Sequence, residues 1–303
     1  MDFRESFFDL MNSSKEELFY NCRIKSKRLP DGSLEPYEIL YCDRFIFNPS
    51  GARVSELSRN IQKRLDYRAA AAELFGGDFP SDGGYVSEKS SPAENAARSI
   101  RRAKGQLMDL IMVNDFDCFV TLTLDAEKIN RFDYSAVIKK LNSFLDNRVR
   151  RSGLMYVGVP ERHKSGALHF HFLCNASSLR LVDSGTVSCK GHKKPLKVST
   201  ADRYGISVED RQTVYNVADW TLGFSTAVMT YGDKGAVANY VGKYLTKQLR
   251  GDSVPQKIGG RWYYSGGKLE RPVCTYQKVS FADVDNFSYC FECSGGNFKV
   301  WRF

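Results

Sequence analysis

The order of patterns between residues 118 and 249 predicts an α+β fold with a largely antiparallel sheet. Three observations carry this. Cys118–Leu124 is an almost unbroken run of β-branched, aromatic and aliphatic residues, the pattern of a strand. Two more such runs, residues 155–161 and 168–174, flank Lys164-Ser165-Gly166, a three-residue hairpin loop with Gly where a left-handed residue is wanted. Stretches with apolar residues at helical spacing follow the first run and close the segment, giving β, α, β-hairpin, excursion, β, α.

Taken in order, residues 1–75 form an N-terminal accessory region. Cys42–Phe47 alternates weakly, and Ser55 caps a helix to about Phe75 with Leu57, Ile61 and Leu65 on one face and Lys63, Arg64 and Arg68 elsewhere. Residues 76–93, rich in Gly, Ser, Lys and Pro, make a linker or long loop. A helix from Ala93 to Val113 shows Arg98, Arg101 and Arg102 on one face and Leu107, Leu110 and Ile111 as its apolar stripe. Tyr134–Val149 is a second helix, with Val137, Leu141, Phe144 and Leu145 facing inward. Residues 176–215 are polar and irregular, an excursion from the core. Trp220–Thr230 is a strand, and Lys234–Leu249 a helix closed by Gly251. Residues 94–250 thus form the central domain and 251–303 a C-terminal extension, with strand-like patches at Arg261–Tyr264 and Phe298–Phe303.

Composition narrows the class. Of 303 residues, 42% are hydrophobic and 26% charged, ordinary for a packed core and against disorder. Without a run of 18 apolar residues no membrane span is expected, and the start Met1-Asp2-Phe3-Arg4-Glu5 has no features of a secretory leader. Lys and Arg exceed Asp and Glu by 44 to 35, a formal charge of +9, so a polyanion is a fitting partner. Eight cysteines in a chain expected inside the cell read as reduced thiols, and Cys290-Phe-Glu-Cys293 lacks the second pair that a structural zinc requires. No Gly-x-x-x-x-Gly-Lys-Ser/Thr loop occurs, which excludes a fused helicase of that type.

Two constellations suggest chemistry. In His169-Phe170-His171 both imidazoles leave the strand on one face, and the hairpin brings Glu161 roughly opposite His169. Two imidazoles and a carboxylate suit Mg²⁺ or Mn²⁺, with positions left for water or a phosphate oxygen. On the last helix, Tyr240, Lys243, Tyr244 and Lys247 share an arc of about 100° while Val237, Val241, Leu245 and Leu249 anchor the adjoining one. Each has an ordinary alternative, half-buried histidines or a solvated helix face. Thr121 and Thr123 share one face of the first strand, to line a site, touch DNA or simply pack.

These three stretches, Phe119–Leu124, Leu168–Phe172 and Tyr240–Lys247, in this order, resemble the HUH endonuclease superfamily. Specifically, they resemble rolling-circle replication initiators of small single-stranded-DNA phages (Microviridae and Inoviridae) and related plasmids. Arg101-Arg102-Ala103-Lys104 and Asn114-Asp115-Phe116 before the first motif match too, as do Tyr215-Asn216 and Trp220–Phe224 before the third. The resemblance covers residues 95–250.

It implies a ferredoxin- or RRM-like antiparallel sheet with helices packed on one side. It implies a divalent cation, Mg²⁺ or Mn²⁺, on His169 and His171, with Glu161, or else His163, as third ligand. Tyr240 or Tyr244, or both in turn, would be the nucleophile, with Lys243 and Lys247 beside the phosphate. Single-stranded or supercoiled origin DNA would be the substrate. Arg98, Arg101, Arg102, Lys104, Thr121 and Thr123, with Arg148, Arg150 and Arg151, would contact it. The partners would be a host helicase and DNA polymerase in the bacterial cytoplasm. A relaxase or transposase shares this chemistry, and a non-catalytic RRM-like binder of single strands shares the fold and charge.

Overall fold

Alternation sets how the strands are used. In Cys118–Leu124, residues 118, 120, 122 and 124 are buried while 119, 121 and 123 are half-buried, so one strand serves two faces with different partners. The computed structural model describes residues 20–42, 91–163, 165–247, 254–280, 291–292 and 298–302. Its elements begin with strands β1 (Cys22–Arg28) and β2 (Leu34–Cys42), helix α1 (Pro92–Val113) and strand β3 (Cys118–Leu124). Helix α2 (Tyr134–Ser152) and the hairpin β4 (Tyr156–Arg162) and β5 (Leu168–Cys174) follow. Then come β6 (Leu181–Cys189), β7 (Leu196–Lys197), the short α3 (Val198–Arg203), β8 (Arg211–Val217), β9 (Gly223–Met229) and α4 (Lys234–Lys247). The last strands are β10 (Tyr264–Gly266), β11 (Val273–Gln277), β12 (Phe291–Glu292) and β13 (Phe298–Arg302).

The chain divides into two compact units, Ser91–Arg271 and Met1–Ser90 with Pro272–Phe303. The larger is a mixed α and β structure on an eight-stranded sheet in the order β10-β4-β5-β3-β9-β8-β6-β7, every pairing antiparallel. Ser91 starts α1 with a reciprocal capping box to Glu94, and Pro92 at the first helical position needs no hydrogen-bond donor. Asn114 ends α1 and ties it to the segment before residue 271, its Nδ2 donating to Leu110 O at 2.9 Å and Glu270 O at 3.0 Å. Asp133 caps α2, and Gly153, at φ 68°, closes it in the left-handed conformation that glycine adopts without strain.

Each face of the large sheet has its own core. Val120, Leu122 and Leu124 of β3, with Leu168, Phe170 and Phe172 of β5, pack on Val137, Leu141 and Leu145 of α2. On the opposite face Val157, Val159 and Leu173 pack on Ile100, Leu107 and Leu110 of α1 and Ala238, Val241 and Leu245 of α4. Helices therefore cover both faces, where the resemblance led us to expect one side. The pattern of β4 gives the reason: Tyr156–Pro160 is buried throughout, which only a strand covered on both sides allows.

The smaller unit has a five-stranded sheet, β11-β1-β2-β13-β12, around Cys22, Ile39 and Tyr41. Asn21 fastens its ends: Nδ2 donates to Val279 O at 2.7 Å, and Oδ1 accepts from Val279 N–H at 2.9 Å.

Several boundaries differ from those read in the sequence. The N-terminal region and C-terminal extension are not separate: β1 pairs with β11, and β2 with β13. Residues 251–271 belong to the larger unit, where β10 adds to the edge of β4 and Trp262 Nε1 donates to Ser99 Oγ at 2.8 Å. Pairings across more than 200 residues leave no local trace. The excursion at 176–215 contains β6, β7, α3 and β8, and so extends the sheet. Its exposed, Ser- and Thr-containing strands hide their alternation. The expected helix from Ser55, nearly all of the linker, residues 43–47, Leu249, Gly251, Cys290 and Cys293 lie outside the described residues.

Candidate active site

The histidine-bearing face is built from register. Across β4, β5, β3 and β9, Glu161 pairs with His169, His169 with Thr123, and Thr123 with Phe224. One step along, Val159 pairs with His171, His171 with Thr121, and Thr121 with Thr226. Paired residues project to the same side, so both imidazoles, both threonines and the carboxylate share one face.

The threonines orient the rings: Thr121 Oγ1 lies 3.2 Å from His171 Nδ1, and Thr123 Oγ1 lies 3.5 Å from His169 Nδ1. His171 is buried, and its Nε2–H donates to Glu161 Oε2 at 2.7 Å. A threonine hydroxyl can donate or accept, so it holds the ring in either tautomer. The hydrogen bond from His171 pulls the Glu161 carboxyl down to about 2; the Lys247 bond adds to this, and burial opposes it. Burial, then the adjacent His163 and His171, hold His169 below its ordinary value, which leaves a neutral ring with a lone pair for a ligand. His163 stacks on His169 with ring centroids 5.2 Å apart.

Helix α4 brings the tyrosines over this face. Val241 and Leu245 are fully buried in the core shared with α1, and Gly242 faces Lys104. A Cβ at Gly242 would stand 3.0 Å from Lys104 Cε, so glycine lets the lysine stem lie between the helices. The start of α4 is tied to the end of α1 by Lys234 Nζ, which donates to Asp115 Oδ1 at 2.5 Å and Asn114 O at 3.3 Å.

Tyr244 stacks on His171 with centroids 3.9 Å apart, and its hydroxyl donates to Tyr240 Oη at 3.0 Å. Burial first, and then that hydrogen bond, raise the Tyr244 phenol well above its ordinary value. Tyr240 is 44% exposed and meets Phe119 edge-on at 5.3 Å. Lys243 Nζ lies 3.5 Å from the Tyr240 ring centroid and 5.3 Å from that of Tyr244, so a phosphate arriving at either phenol meets positive charge. Lys247 bonds Glu161. Beside them opens a cavity of about 420 Å³ lined by Glu161, Arg162, Tyr244, Lys247 and Val254–Gln256 with Ile258.

The donor types, two imidazoles and a carboxylate, fit a hard divalent cation. As the side chains lie, however, Lys247 and His171 take the Glu161 oxygens, and among the described residues no three His, Cys, Asp or Glu are grouped to hold an ion.

The structure brings Glu161, His169, His171, Tyr240, Lys243, Tyr244 and Lys247 together, with Thr121 and Thr123 behind the histidines. Arg98, Arg101 and Arg102 are exposed on α1, and Lys104 lies half-buried against α4. Arg148, Arg150 and Arg151 do not join this group. They sit on α2, across the sheet, where Arg148 pairs with Asp219 at 3.1 Å. Sequence reasoning assigned no role to Phe119 or Phe224. Phe224 is 68% exposed and in register with Thr123; alternation within Phe224-Ser-Thr226-Ala227, with Ala227 buried, is the signal that marks its face.

This is a two-faced antiparallel α+β unit with a histidine, carboxylate and tyrosine cluster on one face. Residues 117–249 match the family model of the ORF2-type replication-associated protein, a match consistent with a replication initiator and with binding of origin DNA. The matched segment contains every member of the cluster from Thr121 to Lys247. No curated protein and no solved structure matches the chain. Among the described residues no helix is long and apolar enough to cross a membrane.

Proposed function

We propose that the chain is a rolling-circle replication initiator of the HUH endonuclease type, which nicks and rejoins single-stranded origin DNA through Tyr240 or Tyr244. The observation that carries this is the stack of Tyr244 on His171 at 3.9 Å while His171 bonds Glu161. A phenol nucleophile, two lysines and a two-histidine, one-carboxylate set thus share one face. The replication-associated match over residues 117–249 supports the same reading.

In the reaction a phenol oxygen attacks the scissile phosphorus and the P–O3′ bond breaks. The 3′ oxygen leaves and takes up a proton, and the 5′ end remains as a phosphotyrosyl ester. Reversal by a 3′-hydroxyl rejoins a strand without ATP, because the ester conserves the bond energy. Lys243 meets the phosphate at the phenols, and Lys247 stabilises charge on its oxygens once released from Glu161. His169, His171 and Glu161 would hold Mg²⁺ or Mn²⁺, which when bound polarises the phosphate. Thr121 and Thr123 orient the imidazoles, a supporting role like that of the hydrogen-bond partners behind metal-binding histidines. Arg98, Arg101, Arg102 and Lys104 steer the DNA, and Phe224 offers a base a stacking surface. The free 3′-hydroxyl would prime a host polymerase, with a host helicase separating strands, in the bacterial cytoplasm.

The test is a nicking assay on labelled single-stranded DNA from the parent replicon's intergenic region, with Mn²⁺ or EDTA. The expected result is a cut strand with a polymerase-extendable 3′ end in Mn²⁺ alone. Substituting His169→Ala with His171→Ala should reduce cutting by roughly 10³-fold, in the range of lost electrostatic stabilisation, with binding kept within a few-fold. Tight binding of this DNA with no cut in Mn²⁺ would instead make the protein a binding module.

A further inference from the structure

We infer that the tip of the β6–β7–α3 segment is a second DNA-contacting surface, which grips the single strand away from the phosphate being cut. The choice of DNA as occupant rests on the function proposed above. The tip follows Cys189, where β6 turns through Gly191 (φ 83°) into β7, with His192 N–H donating to Cys189 O at 3.0 Å. It stands on a small core of its own, Val187, Cys189 and Ala201 buried, with Leu196 and Ile206 packed against them.

On this base Lys190, Lys193, Lys194, Lys197 and Arg203 are all exposed. None of the five forms an ion pair among the described residues. The nearby acids are partly engaged: Asp202 bonds Arg211 at 2.5 Å, and Asp210 Oδ2 accepts from Ser207 at 3.1 Å. Within the cations Tyr204 is 61% exposed, its ring parallel to that of His192 with centroids 6.0 Å apart. Unpaired ammonium groups around an exposed ring serve a phosphate backbone and a base together. The ring favours a single strand over a duplex, whose bases are already stacked.

Register places this surface well away from the candidate active site. The His171 row continues through Thr121 and Thr226, and the Tyr215–Ala227 and Val182–Asn216 pairings carry it to β6. Four strand spacings of about 4.8 Å and about five residues along β8 at about 3.3 Å put the tip roughly 25 Å from His171. A strand reaching both is held at two points, so the tip would set affinity and register without touching the reacting atoms.

The test compares the full chain with a Lys193→Ala, Lys194→Ala, Lys197→Ala triple variant and with Tyr204→Ala and Tyr204→Phe. Fluorescence anisotropy reads binding of a mixed-sequence single strand of about 40 nucleotides, and of its duplex, across salt concentrations; circular dichroism checks each fold. Loss of three phosphate contacts should weaken single-strand binding at least tenfold at about 0.1 M salt and shallow the log–log salt slope by about 2. Tyr204→Ala should cost about five- to tenfold and Tyr204→Phe nothing, because the phenylalanine ring still stacks. Unchanged affinity and slope in the triple variant, or a loss confined to duplex, would overturn the inference. Adduct formation by the wild-type chain is scored separately. Its absence, with single-strand affinity still dependent on the lysines, would sink the nuclease reading and leave the second surface standing.

Discussion

The two faces of the eight-stranded sheet share the same strands and do opposite work. On the α2 side, residues 118, 120, 122 and 124 of β3 and 168, 170, 172 and 174 of β5 are buried in a closed apolar core. On the other side the intervening residues are Phe119, Thr121 and Thr123, then His169 and His171, and the cover of α1 and α4 reaches β4 and β5. Moving one residue along a strand exchanges a fully buried Phe170 for an imidazole beside a nucleophile. Stability and chemistry are separated by the strand period, so polar groups occupy one face without costing the other its packing.

Substitutions on the two faces should therefore fail in different ways. The largest effect on stability belongs to the closed face. Phe170→Ala should destabilise the fold by about 3–5 kcal/mol in urea unfolding, by lost burial plus the cavity left behind. Its DNA cutting should be lost only in proportion to unfolding. Thr121→Val on the open face should leave the unfolding midpoint nearly unchanged and lower the cutting rate about tenfold, because it removes the hydroxyl that orients His171. Equal effects of the two substitutions on stability would break the comparison.

The smallest effect concerns pH. Glu161, held down to about 2 from an ordinary 4.5, stabilises the fold fully above pH 4.5, and that contribution fades as pH falls towards 2. In EDTA, the thermal midpoint of the wild type should drop more steeply between pH 5 and pH 3 than that of Glu161→Gln. Parallel curves would mean that the His171 and Lys247 bonds to Glu161 add nothing in solution.

Local signals made much of this legible. Cys118–Leu124 and Leu168–Cys174 coincide with β3 and β5, because dense β-branched and aromatic runs bounded by polar residues have few other uses. The three-residue loop between Glu161 and His169 fixed their register, which follows from hairpin geometry. What stayed hidden is non-local or depends on side-chain packing. The pairing of β1 with β11 joins residues 22–26 to 273–277, and no pattern near either strand announces its partner. That α2 would cover the far side and carry Arg148, Arg150 and Arg151 with it depends on the packing of Val137, Leu141 and Leu145 against β3 and β5. Charge alone cannot distinguish two sides of a sheet.

The most direct test of the central claim, that the open face carries tyrosine chemistry on DNA, is to find the bond itself. The chain would be incubated with single-stranded origin DNA and Mn²⁺, denatured and digested, and its peptides mapped by mass spectrometry. A Mn²⁺-dependent phosphodeoxynucleotide on Tyr240 or Tyr244, absent when both are changed to Phe, is the predicted result. Strand cutting that persists in the Tyr240→Phe, Tyr244→Phe protein, with no modified tyrosine, would contradict it.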